Sequence, residues 1–158
     1  MVWTQRCVAV VGSAVCTEEI AKCAYDVGYE LARRKAIIIC GGRGGVMAAA
    51  AHGARDGGGT SVGILPGRDR NDAAPHLSVA LPTGLGDARN AVIACAADAV
   101  IAIGGGFGTL SEVALALKKE KPVVGLLFSF REIAGVYQAK TPQEAVDIAL
   151  RSIVRSTL

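Results

Sequence analysis

Aromatic residues are scarce in this chain: Phe, Trp and Tyr together make up 4% of 158 residues, while 51% of the chain is apolar. The core must therefore be built mainly from Ala, Val, Ile and Leu. A basic stripe interleaved with aromatics, which sequence-independent nucleic-acid binding calls for, is missing as well. The formal net charge is only +3. The longest cationic run, Arg33-Arg34-Lys35, falls at the end of a predicted helix, where positive charge favours the macrodipole. That run reads as structural, and nucleic acid is not an expected partner.

Metal-ligand spacing is also absent. The five cysteines, Cys7, Cys16, Cys23, Cys40 and Cys95, are an odd set with no CxxC pair. Free thiols in a reducing cytoplasm are the expected state, with Cys7 and Cys40 acting as small buried hydrophobes. His52 and His76 have no metal partner at useful spacing, so no metal site is expected. No long hydrophobic run occurs. The stretch Ala91 to Ile103 is interrupted by Asp98 and is too short to span a bilayer. The N-terminus lacks a basic region followed by an apolar one, so export is not supported. The expectation is a cytoplasmic protein with no membrane partner.

What the chain does have is glycine, 20 residues of it, clustered at Gly41–Gly45, Gly57–Gly59 and Gly104–Gly108. Between these clusters, aliphatic runs of strand length alternate with segments of helical period, the pattern of a parallel sheet covered on both faces. Strands are predicted at Cys7–Val11, Ala36–Ile39, Ser61–Leu65, Leu77–Leu81, Ala99–Ile103 and Val123–Leu127. Helices are predicted from Thr17 to Arg33, Val46 to Arg55, Ala88 to Ala97 and Thr109 to Lys119. A last helix is opened by Thr141-Pro142-Gln143-Glu144, a capping box with proline at the first helical position. With no linker and no repeat, residues 1–158 form one domain, a three-layer α/β/α fold with a mainly parallel sheet.

Ligands bind beyond the carboxyl ends of such strands. Three glycine-containing turns occupy that edge: Gly12-Ser13, then Gly41-Gly42-Arg43-Gly44-Gly45, then Gly104 followed by Gly105-Gly106-Phe107-Gly108-Thr109. Each places backbone N–H groups at or near a helix N-terminus, a ready anion site. Neither dense loop is a P-loop, which needs Lys-Ser/Thr after its last glycine. The first is not G-x-G-x-x-G followed by a ribose-binding acid, so a nicotinamide enzyme is disfavoured.

Four side chains keep two readings each. Thr109 and Glu112 have capping-box spacing, which on its own favours a structural role. Glu112 could instead be a carboxylate at the mouth of a phosphate site. Arg89, followed by Asn90, either clamps a phosphate or pairs with Asp87 at the surface. Arg43 either covers an anion or points into water.

Two motifs together resemble a known superfamily. Gly105-Gly106-Phe107-Gly108-Thr109-Leu110-Ser111-Glu112 resembles the GGxGTxxE stretch of the "lysine decarboxylase-like" Rossmann proteins, and Gly41-Gly42-Arg43-Gly44-Gly45-Val46-Met47 resembles their GGxxGxM loop. That superfamily includes the Lonely Guy phosphoribohydrolases, the molybdenum cofactor carriers and, more distantly, DNA-processing protein A. Lonely Guy enzymes usually have proline where this chain has Gly104, Arg-Lys where it has Arg89-Asn90, and often an acid where it has Ser111. Arg89 and Glu112 match positions given catalytic roles in those enzymes. The stretches Gly63–Gly67, Thr83–Arg89 and Glu112–Lys118 are similar to the carrier branch. The resemblance implies a homodimer or homotetramer that binds a phosphate-bearing pterin, the molybdenum cofactor, and needs no further cofactor. The alternative it implies is hydrolysis of the N-glycosidic bond of a nucleoside 5′-monophosphate.

Overall fold

A computed structural model describes residues 4–153. Seven strands form one all-parallel sheet in the order β4-β3-β2-β1-β5-β6-β7. They are β1 (Cys7–Gly12), β2 (Ile37–Cys40), β3 (Ser61–Leu65), β4 (Val79–Pro82), β5 (Ala99–Ile103), β6 (Val123–Leu126) and β7 (Val136–Ala139). The helices are α1 (Glu18–Arg33), α2 (Val46–Asp56), α3 (Arg89–Ala96), α4 (Phe107–Lys118) and α5 (Pro142–Ser152). The central strands are aliphatic on both sides because both faces are covered, and every residue of β5 and β6 is buried. Helices α1, α2 and α5 pack on one face with Val8, Val10, Ile38 and Ile101. Residues of α3 and α4 pack on the other with Ala9, Val11, Val100 and Ala102.

Helix α1 buries Ala24, Val27, Gly28, Leu31 and Ala32, which recur at intervals of three and four. Thr17 caps it by accepting a hydrogen bond from the Ile20 N–H at 3.3 Å, an interaction worth about 1 kcal/mol. Its partner α2 approaches unusually closely. A Cβ on Gly28 would lie 2.1 Å from the Ala50 carbonyl oxygen, and one on Gly53 would lie 2.0 Å from that of Tyr25. The Arg33-Arg34-Lys35 run does structural work, since Arg34 pairs with Glu30 at 3.0 Å and with Asp147 of α5 at 2.6 Å. At α5, the Thr141 hydroxyl accepts from the Glu144 N–H at 3.1 Å, and the Glu144 carboxylate accepts from the Lys140 N–H at 2.7 Å.

The structure departs from the sequence reading in several places: β4 starts at Val79 rather than Leu77, Arg70–Asp72 forms a 3₁₀ turn, and three further differences matter more. Strand β7 was not expected: Val-Tyr-Gln-Ala is short, lies at the sheet edge and has no fully buried residue. Helix α4 begins at Phe107, two residues before Thr109, with Gly106 as its N-cap. The Thr109–Glu112 capping box therefore does not form, because both residues already lie inside the helix. Finally, a short 3₁₀ turn, Gly86–Ala88, precedes α3.

Candidate functional site

The chain leaves β1 through α1 towards β2, and leaves β5 through α4 towards β6, on opposite faces of the sheet. Between the carboxyl ends of these neighbouring strands a crevice must open. A cavity of about 270 Å³ lies there. Gly12, Ser13 and Ala14 line it from the first turn, Gly41 and Met47 from the second, and Gly106, Gly108, Thr109 and Glu112 from α4. Asp87, Arg89 and Asn90 complete the wall.

Of the residues singled out in the sequence, the structure brings together Gly12, Ser13, Gly41, Arg89, Asn90, Gly106, Gly108, Thr109 and Glu112. Gly42, Arg43, Gly44, Gly45, Gly105 and Phe107 are not among the lining residues. Val11, Ala14, Met47 and Asp87 line the cavity as well and were not named as site residues. Val11 and Ala14 carry no chemical signal in sequence, Met47 entered only as the last residue of the GGxxGxM stretch, and Asp87 was read only as a partner for Arg89.

The two dense glycine loops behave differently. At the first, the Val46 N–H that opens α2 donates to the Ser13 carbonyl at 3.1 Å, and the Ala74 N–H donates to the Gly42 carbonyl at 2.8 Å. Gly45 has φ +58, and a Cβ there would stand 2.2 Å from the Ser13 carbonyl oxygen. Backbone packs on backbone here, so the Gly44–Gly45 end of this loop is closed by the protein itself, while Gly41 lines the cavity. At the second, Gly106 caps α4 without a side-chain hydrogen bond, and a Cβ on Gly106 or Gly108 would meet nothing within 4 Å. A glycine inside a helix costs roughly 0.5–1 kcal/mol relative to alanine. No neighbour in the fold requires one at position 108.

Arg89 rises from the start of α3 over Gly41, where an added Cβ would come within 2.8 Å of its Nη2. Its Nη1 donates to the Asn90 Oδ1, the Asn90 Nδ2 donates to the Ser111 Oγ at 3.1 Å, and that hydroxyl donates to the Gly108 carbonyl at 2.6 Å. This chain of bonds ties the guanidinium to the first turn of α4. The two residues that depart from the Lonely Guy pattern, Asn90 and Ser111, are thus partners: a neutral hydrogen bond stands where that pattern has Lys and an acid. The surface pairing of Arg89 with Asp87 is not formed among the described residues. The Arg89 Nε is buried and has no partner.

Glu112 is 6% exposed. Burial pushes its carboxyl up to about 7, and the Arg89 charge pulls the other way. Burial also raises the Cys40 thiol beneath the site to about 11, which leaves it inert as a nucleophile at neutral pH. The arrangement offers an uncapped helix N-terminus, a tethered guanidinium and a carboxyl poised near neutrality. No group of three or more His, Cys, Asp or Glu side chains suited to a metal ion occurs among the described residues. No described helix is long and apolar enough to cross a membrane.

The family model for the SLOG cluster4 family matches residues 5–153. The chain belongs to that family. The SLOG cluster4 chain is 40% identical over 148 residues to an uncharacterized protein of Archaeoglobus fulgidus, covering 94% of this chain and 97% of that one. Among solved structures it resembles the molybdenum cofactor binding protein of the phototrophic bacterium Rippkaea orientalis, with TM-score 0.90 and 34% identity over 96% of this chain and 99% of that one. It also resembles the molybdenum cofactor carrier protein of Chlamydomonas reinhardtii, with TM-score 0.83 and 31% identity over 94% and 98% of the two chains.

Proposed function

We propose that this protein is a molybdenum cofactor carrier, holding the phosphate of the pterin at the α4 N-terminus beneath Arg89. The observation that carries this reading is the set of groups left open around one cavity. α4 has no side-chain cap, Gly106 and Gly108 face empty space, and Arg89 lines the same wall. Backbone amides at a helix N-terminus favour an anion, and a guanidinium adds charge-assisted hydrogen bonds. Carriage needs affinity and shielding rather than transition-state stabilisation, in keeping with the neutral Asn90–Ser111 link. The assembly proposed from the resemblance is a cytoplasmic homodimer or homotetramer, to be checked by light scattering. Anoxic purification followed by ligand release and mass analysis tests the reading. A pterin phosphate is expected. Recovery of none, from protein that binds simple nucleotides tightly, overturns it.

A second reading, phosphoribohydrolase activity on a nucleoside 5′-monophosphate, is favoured by one observation, the buried Glu112 with its carboxyl near 7. An ionised Glu112 would stabilise positive charge developing on the ribosyl carbon while water attacks. Only the deprotonated form does this, so the rate is expected to rise as pH passes through 7. Incubation with AMP and N6-modified AMP, scored for free base, tests it. Activity unchanged in Glu112→Ala removes this role for the carboxylate.

A further inference from the structure

The cavity is small for a complete cofactor. At about 270 Å³ it falls below the roughly 300–1,000 Å³ typical of pockets that bury whole small molecules. A phosphate and the group attached to it fit, so a larger ligand must continue across the rim. The two most exposed large hydrophobic side chains among the described residues are chain neighbours of lining residues. Phe107 is 84% exposed and lies between the lining residues Gly106 and Gly108, and Val15 is 88% exposed and directly follows Ala14. In a chain with three phenylalanines, leaving one in water at the first residue of α4 calls for a cause.

Phe107 is one end of an aromatic row. Its ring centroid is 6.2 Å from that of Phe130, which is 5.7 Å from that of the buried Phe128. The Ser129 N–H, donating to the Gly104 carbonyl at 3.3 Å, fastens this segment to the second glycine loop. Phe130 thus backs Phe107 from the side of β6, leaving the rest of the Phe107 ring to solvent.

Resting on the phosphate-site reading above, we propose that Phe107 is the specificity-determining residue for a planar heteroaromatic ring. That ring stacks on Phe107 at the cavity rim while its phosphate sits at the α4 N-terminus. Continuity carries the assignment. The two glycines that open the anion site flank Phe107, so a phosphate ester seated there extends outward past this side chain. A flat π-face accepts purines and pterins alike. The site therefore selects for a ring-bearing phosphate over a sugar phosphate, with Val15 adding apolar surface to the mouth.

Calorimetric titration with ribose 5-phosphate, AMP and 6-hydroxymethylpterin phosphate tests this. Wild-type protein is expected to bind at least one ring-bearing phosphate more tightly than ribose 5-phosphate. Phe107→Ala should reduce that advantage by about 5- to 100-fold, leave ribose 5-phosphate binding unchanged, and be rescued by Phe107→Tyr. The proposal is overturned if the advantage survives in Phe107→Ala, or if the variant weakens all three ligands equally. It is also overturned if the variant changes only the oligomeric mass, which would assign Phe107 to a contact between copies. Equal wild-type affinity for all three ligands sinks the stacking role and leaves the phosphate site standing. Failure of every phosphate to bind removes both.

Discussion

The two dense glycine loops look alike on paper and do opposite things in the fold. At Gly44 and Gly45, missing side chains let main chain pack on main chain. Position 45 abuts the Ser13 carbonyl, and the first amide of α2 is spent on that same group. At Gly106 and Gly108 the space beside the backbone is empty and the first turn of α4 is uncapped. The first loop is explained by the protein alone. In the second, Gly104 and Gly105 take positive φ against Ile20 and Thr109, while Gly106 and Gly108 meet no protein atom. A glycine cluster is therefore not in itself a binding site. What separates Gly45 from Gly106 and Gly108 is whether an added Cβ would strike the protein or nothing.

Breaking the closed loop should have the largest effect. Gly45→Ala combines a left-handed backbone with a carbonyl at 2.2 Å, so a loss of about 3–5 kcal/mol is expected in urea unfolding. A change under 1 kcal/mol would show that the clasp bears no strain.

Next in size is Glu112→Gln, on the helix of the open loop. The folded protein keeps the Glu112 proton up to about pH 7, whereas an unfolded carboxyl releases it near 4.5. The unfolded state thus binds fewer protons across that window. Stability falls as pH rises from 4.5 to 7 and stays lower above it, by roughly 3 kcal/mol. The glutamine variant should be more stable than wild type by that amount at pH 8, with the gain gone below about pH 4.5. Parallel stability profiles of the two proteins would contradict the burial argument.

Replacing Arg89 by methionine sharpens the contrast in binding rather than folding. Phosphate-ester affinity should drop roughly 10- to 150-fold as a charged donor is lost. Stability should change less, by about 1 kcal/mol, because the orphaned Nε leaves with the side chain while the buried Asn90 Oδ1 loses its donor. The smallest effect has the most telling sign. Gly108→Ala should raise stability by about 0.5–1 kcal/mol while weakening phosphate binding, as measured by thermal unfolding and titration on one preparation. A loss of stability there would place Gly108 with the closed loop.

Most of the architecture was legible because buried parallel strands are written as plain aliphatic runs. Ser61–Leu65 and Ala99–Ile103 were read with their observed limits. Strand β7 escaped because an edge position leaves Tyr137 and Gln138 exposed and so erases the run. The start of α4 was misplaced because Thr109-x-x-Glu112 imitates a cap, while the real N-cap, Gly106, has no side chain to announce itself. The edge of the sheet that carries the site was readable from where the glycines fall. The division of labour between the loops was not. It depends on the Ser13 carbonyl, which only the parallel pairing of β1 with β2 carries to the start of α2.

The near-contact of α1 and α2 has a mechanical consequence. With Gly28 against Ala50 and Gly53 against Tyr25, no rotamers lie between the two backbones at these points to take up slack. The pair should respond to heat or pressure as one stiff plate, yielding only by whole-helix separation. Since α2 springs directly from the Ser13 clasp, that plate also braces the floor of the cavity, and distortion there should be felt at the crevice without any residue in between changing shape.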